Sequence, residues 1–209
     1  MNIFILSTGR CGSVTFVEAC KYIENFSSSH ESKVDKFGDE RLAFSDNHIE
    51  SDNRLSWFLG RLDKQYGNEA FYVHLTRNIE STAKSYSKRM SSGLLMKAYM
   101  FGIYMGLNNE QDPYDLALDM CATVNANIES FLKNKSNKMT ISLENVSHDF
   151  PLFWQKIGAK GNLEKAMEQW QCQYNATTID EEKPPHFLVR VYNKIIRALV
   201  SFPKYLKEI

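Results

Sequence analysis

Residues 2–20 read NIFILSTGRCGSVTFVEAC, and the order of side chains in this stretch decides the fold class. Asn2 to Ser7 is a short apolar run rich in isoleucine and phenylalanine, the pattern of a buried strand. From Ser13 to Ile23, apolar residues at Val14, Phe16, Val17, Ala19, Cys20 and Ile23 form a helical stripe, which the polar stretch Glu24 to Glu31 ends. Between them lies STGRCGS, Ser7 to Ser13. The chain opens as strand, glycine-bearing loop and helix.

The same order returns further along. Ala70 to Thr76 (AFYVHLT) has the β-branched and aromatic content of a second core strand, and a polar turn leads into a helix from Ile79 to Arg89. Arg41 to Ile49 alternates like a half-buried strand or its end, and Arg54 to Tyr66 reads as an amphipathic helix closed at Gly67. Pro113 to Lys133 has the proline start of a long helix, Lys138 to Leu143 reads as a third core strand, and helices follow at Phe150 to Ile157 and Leu163 to Trp170. Ser91 to Gln111 follows neither period. Phe187 to Ile209 is an apolar and basic amphipathic tail interrupted by Pro203.

Strands alternating with helices predict an α/β fold: a mostly parallel central sheet flanked by helices on both faces, with ligands at the carboxyl ends of the strands. No repeat or low-complexity linker divides the 209 residues, so one domain is expected over residues 1–209, with 187–209 a C-terminal helical tail.

Apolar residues make up 43% and charged residues 24%, which is globular usage. Lysine plus arginine balances aspartate plus glutamate at 25 each, so no global field favours nucleic acid, and any anion must be bound locally. No run is long enough for a membrane span and the start is too short for a signal peptide, so a cytoplasmic location is expected. Cys11, Cys20, Cys121 and Cys172 are scattered, without the spacing of a zinc site or a disulfide framework. Amide donors could lower the pKa of Cys11 in its loop, but a small residue tolerated in a tight turn is the simpler account.

The loop STGRCGS suits an anion, because its backbone N–H groups and the positive helix end converge there. Gly9 and Gly12 allow a tight turn, Arg10 adds a charge, and Ser13 and Thr15 add hydroxyls. A purely structural turn is the competing account. The ATP-binding loop GxxxxGK[ST] needs four residues between its glycines and a lysine after the second. Here two residues separate Gly9 from Gly12 and Ser13 follows, so a nucleotide triphosphatase is disfavoured. At the second turn, Arg77 can grip a phosphate bidentately and Ser85 can add a bond from the helix; a surface turn is again the alternative.

The stretch STGRCGSVTF resembles the 5′-phosphosulfate loop of sulfotransferases that use 3′-phosphoadenosine 5′-phosphosulfate (PAPS). HLTRNIESTAKSYSKR is similar to that family's 3′-phosphate motif, with Ser85 eight positions after Arg77. ISLENVSHDFPLFWQKIGAKGNL resembles its third segment of strand, acidic residue and helix. The resemblance implies a P-loop-like sulfotransferase architecture. It implies that Gly9, Arg10, Cys11, Gly12, Ser13, Val14 and Thr15 bind the 5′ side of the cofactor and that Arg77 and Ser85 bind the 3′-phosphate. Arg10 would also stabilise the departing 5′-phosphate in catalysis. Glu144 would fix local hydrogen bonds, and Lys160 with Gly161 would approach the nucleotide. No metal is expected.

Transfer of a sulfuryl group also requires a base for the acceptor proton. Glu31, His30 and His48 are the candidates between the two phosphate motifs. Glu31 comes first, since its distance from Arg10 resembles that in the protein-tyrosine branch, and His48 resembles the histidine base of the cytosolic branch. Each of the three is equally read as a solvated loop residue. His74, inside a predicted core strand, reads as a hydrogen-bonded structural histidine. The expected partner is a hydroxyl- or amine-bearing acceptor, with carbohydrates and small molecules foremost, and a homo-oligomer is left open. An atypical nucleotide kinase and an adenosine-bisphosphate-binding module without turnover are the alternatives.

Overall fold

Five parallel strands lie in the order β2, β3, β1, β4, β5 in the computed structural model, which describes residues 1–90, 93–105, 110–172 and 174. The expected tail at 187–209 lies outside the described residues. The strands are β1 Ile3–Leu6, β2 Ser27–His30, β3 His48–Ser51, β4 Phe71–Thr76 and β5 Lys138–Ser142. β1 is central because IFIL is apolar on both sides, and all four of its residues are buried.

One face of the sheet is covered by α1 Ser13–Cys20, α6 Val146–Lys156 and α7 Leu163–Glu168. There Ile3, Ile5, Ile49, Val73 and Ile141 pack against Phe16, Phe150 and Phe153. The Phe16 ring meets Phe150 and Phe153 edge-on at 5.4 and 5.2 Å. Each such pair contributes about 0.5–1.5 kcal/mol beyond its buried area, so α6 holds α1 firmly beneath the loop that precedes it. The other face carries α2 Leu59–Tyr66 and α5 Pro113–Leu132 over Phe4, Leu6 and Tyr72. Pro113 stands in the first turn of α5 behind an Asp112 cap, as its sequence predicts, and Gly67 closes α2 with φ 48°. A third cluster joins α5 to α3 Ile79–Ser87 and α4 Leu94–Ala98.

Several expectations are corrected here. The polar stretch after α1 contains β2, whose residues SSSH carry no apolar signal because the strand lies at the sheet edge. The strand expected over Arg41 to Ile49 is confined to its end: β3 begins at His48, and Arg41 closes a single 3-10 turn, Gly38–Arg41. The helix expected from Arg54 is a 3-10 turn, Asn53–Trp57, followed by α2. The run Lys138 to Leu143 forms the opposite edge strand rather than a core strand, and only Ile141 of β5 is fully buried. No helix among the described residues is long and apolar enough to cross a membrane.

Candidate active site

The strand order reverses direction around β1, so the loops after β1, β3 and β4 meet at one end of the sheet. The loop after β1 makes three left-handed demands within four residues: Gly9 has φ 82°, Arg10 φ 60° and Gly12 φ 85°. At Gly9 the need is steric as well as conformational, since a Cβ would run into the Tyr86 hydroxyl and the Asn53 side chain. The first helical bond of α1 runs from Phe16 N to Gly12 O at 2.9 Å. The amides of Ser13, Val14 and Thr15 precede it, and no acidic side chain occupies that first turn. This is the donor-rich helix start that favours an anion.

The two motifs come together. Arg10 Nε donates to Ser85 Oγ at 3.0 Å, and Arg77 NH1 donates to the Arg10 carbonyl at 3.2 Å. Tyr86, next to Ser85 on α3, donates its hydroxyl to the Thr8 carbonyl at 2.6 Å and so pins the loop from the same helix. Burial, then the charges of Arg89 and Arg77, disfavour the charged form of Arg10 and lower its pKa. Arg10, with the charges of Arg77 and Arg89 near enough to act on it, lies beside a helix start, the kind of donor set that binds phosphate oxygens.

Cys11 is not an activated thiol. Burial pushes its pKa up, and the thiol contacts Thr8 Oγ1 at 3.1 Å and the Gly9 carbonyl at 3.2 Å. All four cysteines are free, and Cys11, Cys20 and Cys121 are buried.

His30 ends β2 beside the loop, with Nε2 3.1 Å from Ser13 Oγ. Glu31 follows with φ 52° and pairs through Oε1 with Arg54 at 2.8 Å. His48 does not join this group. It starts β3 at the far end of the strand, buried between Ser27 Oγ and Glu50, with Phe44 stacked on its ring. His74 is the buried structural histidine its strand suggested, bonded to Asn125 at 3.2 Å. Lys160 and Gly161 dock on the opposite end of α1: Glu24 N donates to Lys160 O at 2.7 Å and Gly161 bridges Ile23. They therefore lie at the other end of α1 from the loop after β1. Glu144 receives Asn78 N at 2.8 Å and Ser142 Oγ at 2.7 Å, tying the end of β5 to the turn that carries Arg77.

The sequence reading missed Asn53, Arg54, Tyr86 and Arg89, and also a buried ion pair of Arg41 with Asp52. Asp52 accepts Arg54 N at 2.8 Å as well, so this pair braces the turn that presents Arg54. The position of Tyr86 directly after Ser85 was the available signal for one of them. The charged residues near Asp52 belong to a short turn with no periodicity to read.

No protein-family model matches the sequence, and no curated protein matches it. Solved structures do. The sulfotransferase domain from the curacin biosynthetic pathway superposes with a TM-score of 0.58 at 15% identity, over 82% of this chain and 78% of that one. The sulfotransferase domain from the Synechococcus PCC 7002 olefin synthase gives 0.58 at 15% identity, over 90% and 82%. The chain has the sulfotransferase fold. Mouse sulfotransferase SULT7A1 complexed with PAP is similar over 81% of this chain and 63% of its own, with a TM-score of 0.52 at 14% identity. On this fold, the loop from Ser7 to Ser13 and the Arg77 turn lie at the carboxyl ends of neighbouring strands, β1 and β4.

Proposed function

We propose that this chain is a PAPS-dependent sulfotransferase acting on a hydroxyl or amine of its acceptor. The observation that carries the reading is the bond from Arg10 to Ser85, which joins the 5′-phosphosulfate-like loop to the 3′-phosphate-like helix. The PAP bound by a neighbour of the same fold supports a cofactor of this class. Bound PAPS supplies the sulfuryl group and the bisphosphate leaving group.

The loop amides of Gly12, Ser13, Val14 and Thr15, with Arg10, bind the 5′-phosphate and neutralise charge that develops there. Arg77 and Ser85 bind the 3′-phosphate and reject nucleotides that lack it. Glu31 takes the acceptor proton at its carboxylate, which Arg54 fixes in direction at the edge of the loop. A second reading gives the proton to His30, favoured by its contact with Ser13.

The test is incubation with PAPS and a panel of sugar, phenol and amine acceptors, with released bisphosphate as the signal. Acceptor-dependent release that disappears in Arg10→Ala supports the reading. Tight bisphosphate binding without release for any acceptor favours a binding module, and preference for ATP with magnesium favours a kinase.

A further inference from the structure

The edge strand β2 reads SSSH and buries no apolar side chain, so its hydrophobic pattern specifies register weakly. A slip of one residue would carry His30 off Ser13 and Glu31 off Arg54. A polar chain runs beside this strand; its middle, His48 and Glu50, is buried, and its ends, Ser27 and Ser32, are exposed. Ser27 Oγ lies 2.8 Å from His48 Nδ1, and His48 Nε2 lies 3.0 Å from Glu50 Oε2. Glu50 then accepts Ser32 N at 2.7 Å on Oε1 and Ser32 Oγ at 2.6 Å on Oε2. The bonds fall on either side of the segment that matters: Ser27 starts β2, and Ser32 follows Glu31.

Glu50 is fully buried, and a buried carboxylate is costly unless its oxygens are satisfied. Here both oxygens are used, and both point their partners at the turn that follows β2. That turn includes the left-handed Glu31, whose amide donates to Ser51 O at 3.0 Å. We infer that His48 and Glu50 are positioning residues: they latch the register of β2 and thereby set His30 and Glu31 against the phosphate loop. Only the catalytic consequence rests on the proposed sulfotransferase reading.

Nuclear magnetic resonance on Glu50→Ala, Ser32→Ala and Glu50→Gln tests the latch, with adenosine 3′,5′-bisphosphate titrated into each. Ser32→Ala removes only a hydroxyl, so it serves if Glu50→Ala does not fold. In the alanine variants the His30 ring signals should move toward those of free histidine, and the Glu31 amide should exchange about tenfold faster, the loss of roughly one hydrogen bond. Glu50→Gln, which accepts from Ser32 N and can hydrogen-bond the Ser32 hydroxyl through its amide, should restore most of both signals. Bisphosphate affinity should stay within about twofold, because the loop and Arg77 are untouched. With an acceptor in hand, kcat should fall while KM for PAPS holds. Unchanged His30 and Glu31 signals in both alanine variants would overturn the latch. If the unmodified protein does not bind the bisphosphate, the nucleotide reading falls, and the His30 and Glu31 signals still decide the latch.

Discussion

Arg10 Nε donates to Ser85 Oγ at 3.0 Å, closing a contact between residues 75 positions apart. With Arg77 holding the Arg10 carbonyl, this bond makes one site of two loops on neighbouring parallel strands. On the proposed reading a ligand carrying two separated phosphates engages both loops, and a single-phosphate ligand engages one.

Arg77→Ala should therefore weaken adenosine 3′,5′-bisphosphate binding by about 1.5–3 kcal/mol, the range for a charge-assisted hydrogen bond, and leave AMP nearly unaffected. Calorimetric titration of both ligands checks it. Equal weakening for the two would move Arg77 away from the 3′-phosphate.

Gly9→Ala should destabilise the fold by about 1–3 kcal/mol, through a positive φ and a Cβ that meets Tyr86. Tyr86→Phe in the same background removes the hydroxyl clash but leaves the Asn53 contact and the backbone strain, and it leaves the Thr8 carbonyl to the weaker 3.5 Å bond from Asn53. Thermal melts of the single and double variants separate these contributions. A Gly9→Ala melt unchanged from the parent protein would contradict the loop geometry.

His74 gives stability a pH dependence of known sign. Burial lowers its pKa in the folded protein, although the bond to Asn125 opposes the shift. The unfolded chain then binds the proton more readily, so the contribution is present above the unfolded pKa of about 6.5 and is lost as pH falls toward the folded value. Melting temperature measured from pH 7.5 downward should fall in that window, and His74→Gln should flatten the fall. A parallel slope in both proteins would assign the acid sensitivity to other groups.

Glu31→Gln should keep bisphosphate affinity and lower turnover by roughly a hundredfold or more, the contribution of a positioned base. His30→Ala is the control. Collapse of turnover in His30→Ala alone would transfer the role to the residue that touches Ser13.

The loops after β1 and β4 were legible because each follows an apolar strand and precedes a periodic helix, and these patterns survive in the sequence without tertiary help. β2 was not legible. Ser27 at its start bonds His48 and Ser32 just past its end bonds Glu50, partners on another strand that no local pattern announces. His48 was a base candidate through its resemblance to the histidine of the cytosolic branch, and its local sequence carries no sign of which end of a strand it will occupy. Lys160 followed a family motif to an expected place, but Gly161 bridges Ile23 and takes the loop to the far end of α1.

The most direct test of the central claim is titration of adenosine 3′,5′-bisphosphate in EDTA, set beside ATP with magnesium. Guanidinium groups and a helix start supply the charge that a metal supplies in kinases, so the bisphosphate should bind with the same affinity with or without chelator, and more tightly than ATP. Loss of bisphosphate binding on chelation, or preference for ATP with magnesium, would contradict the account.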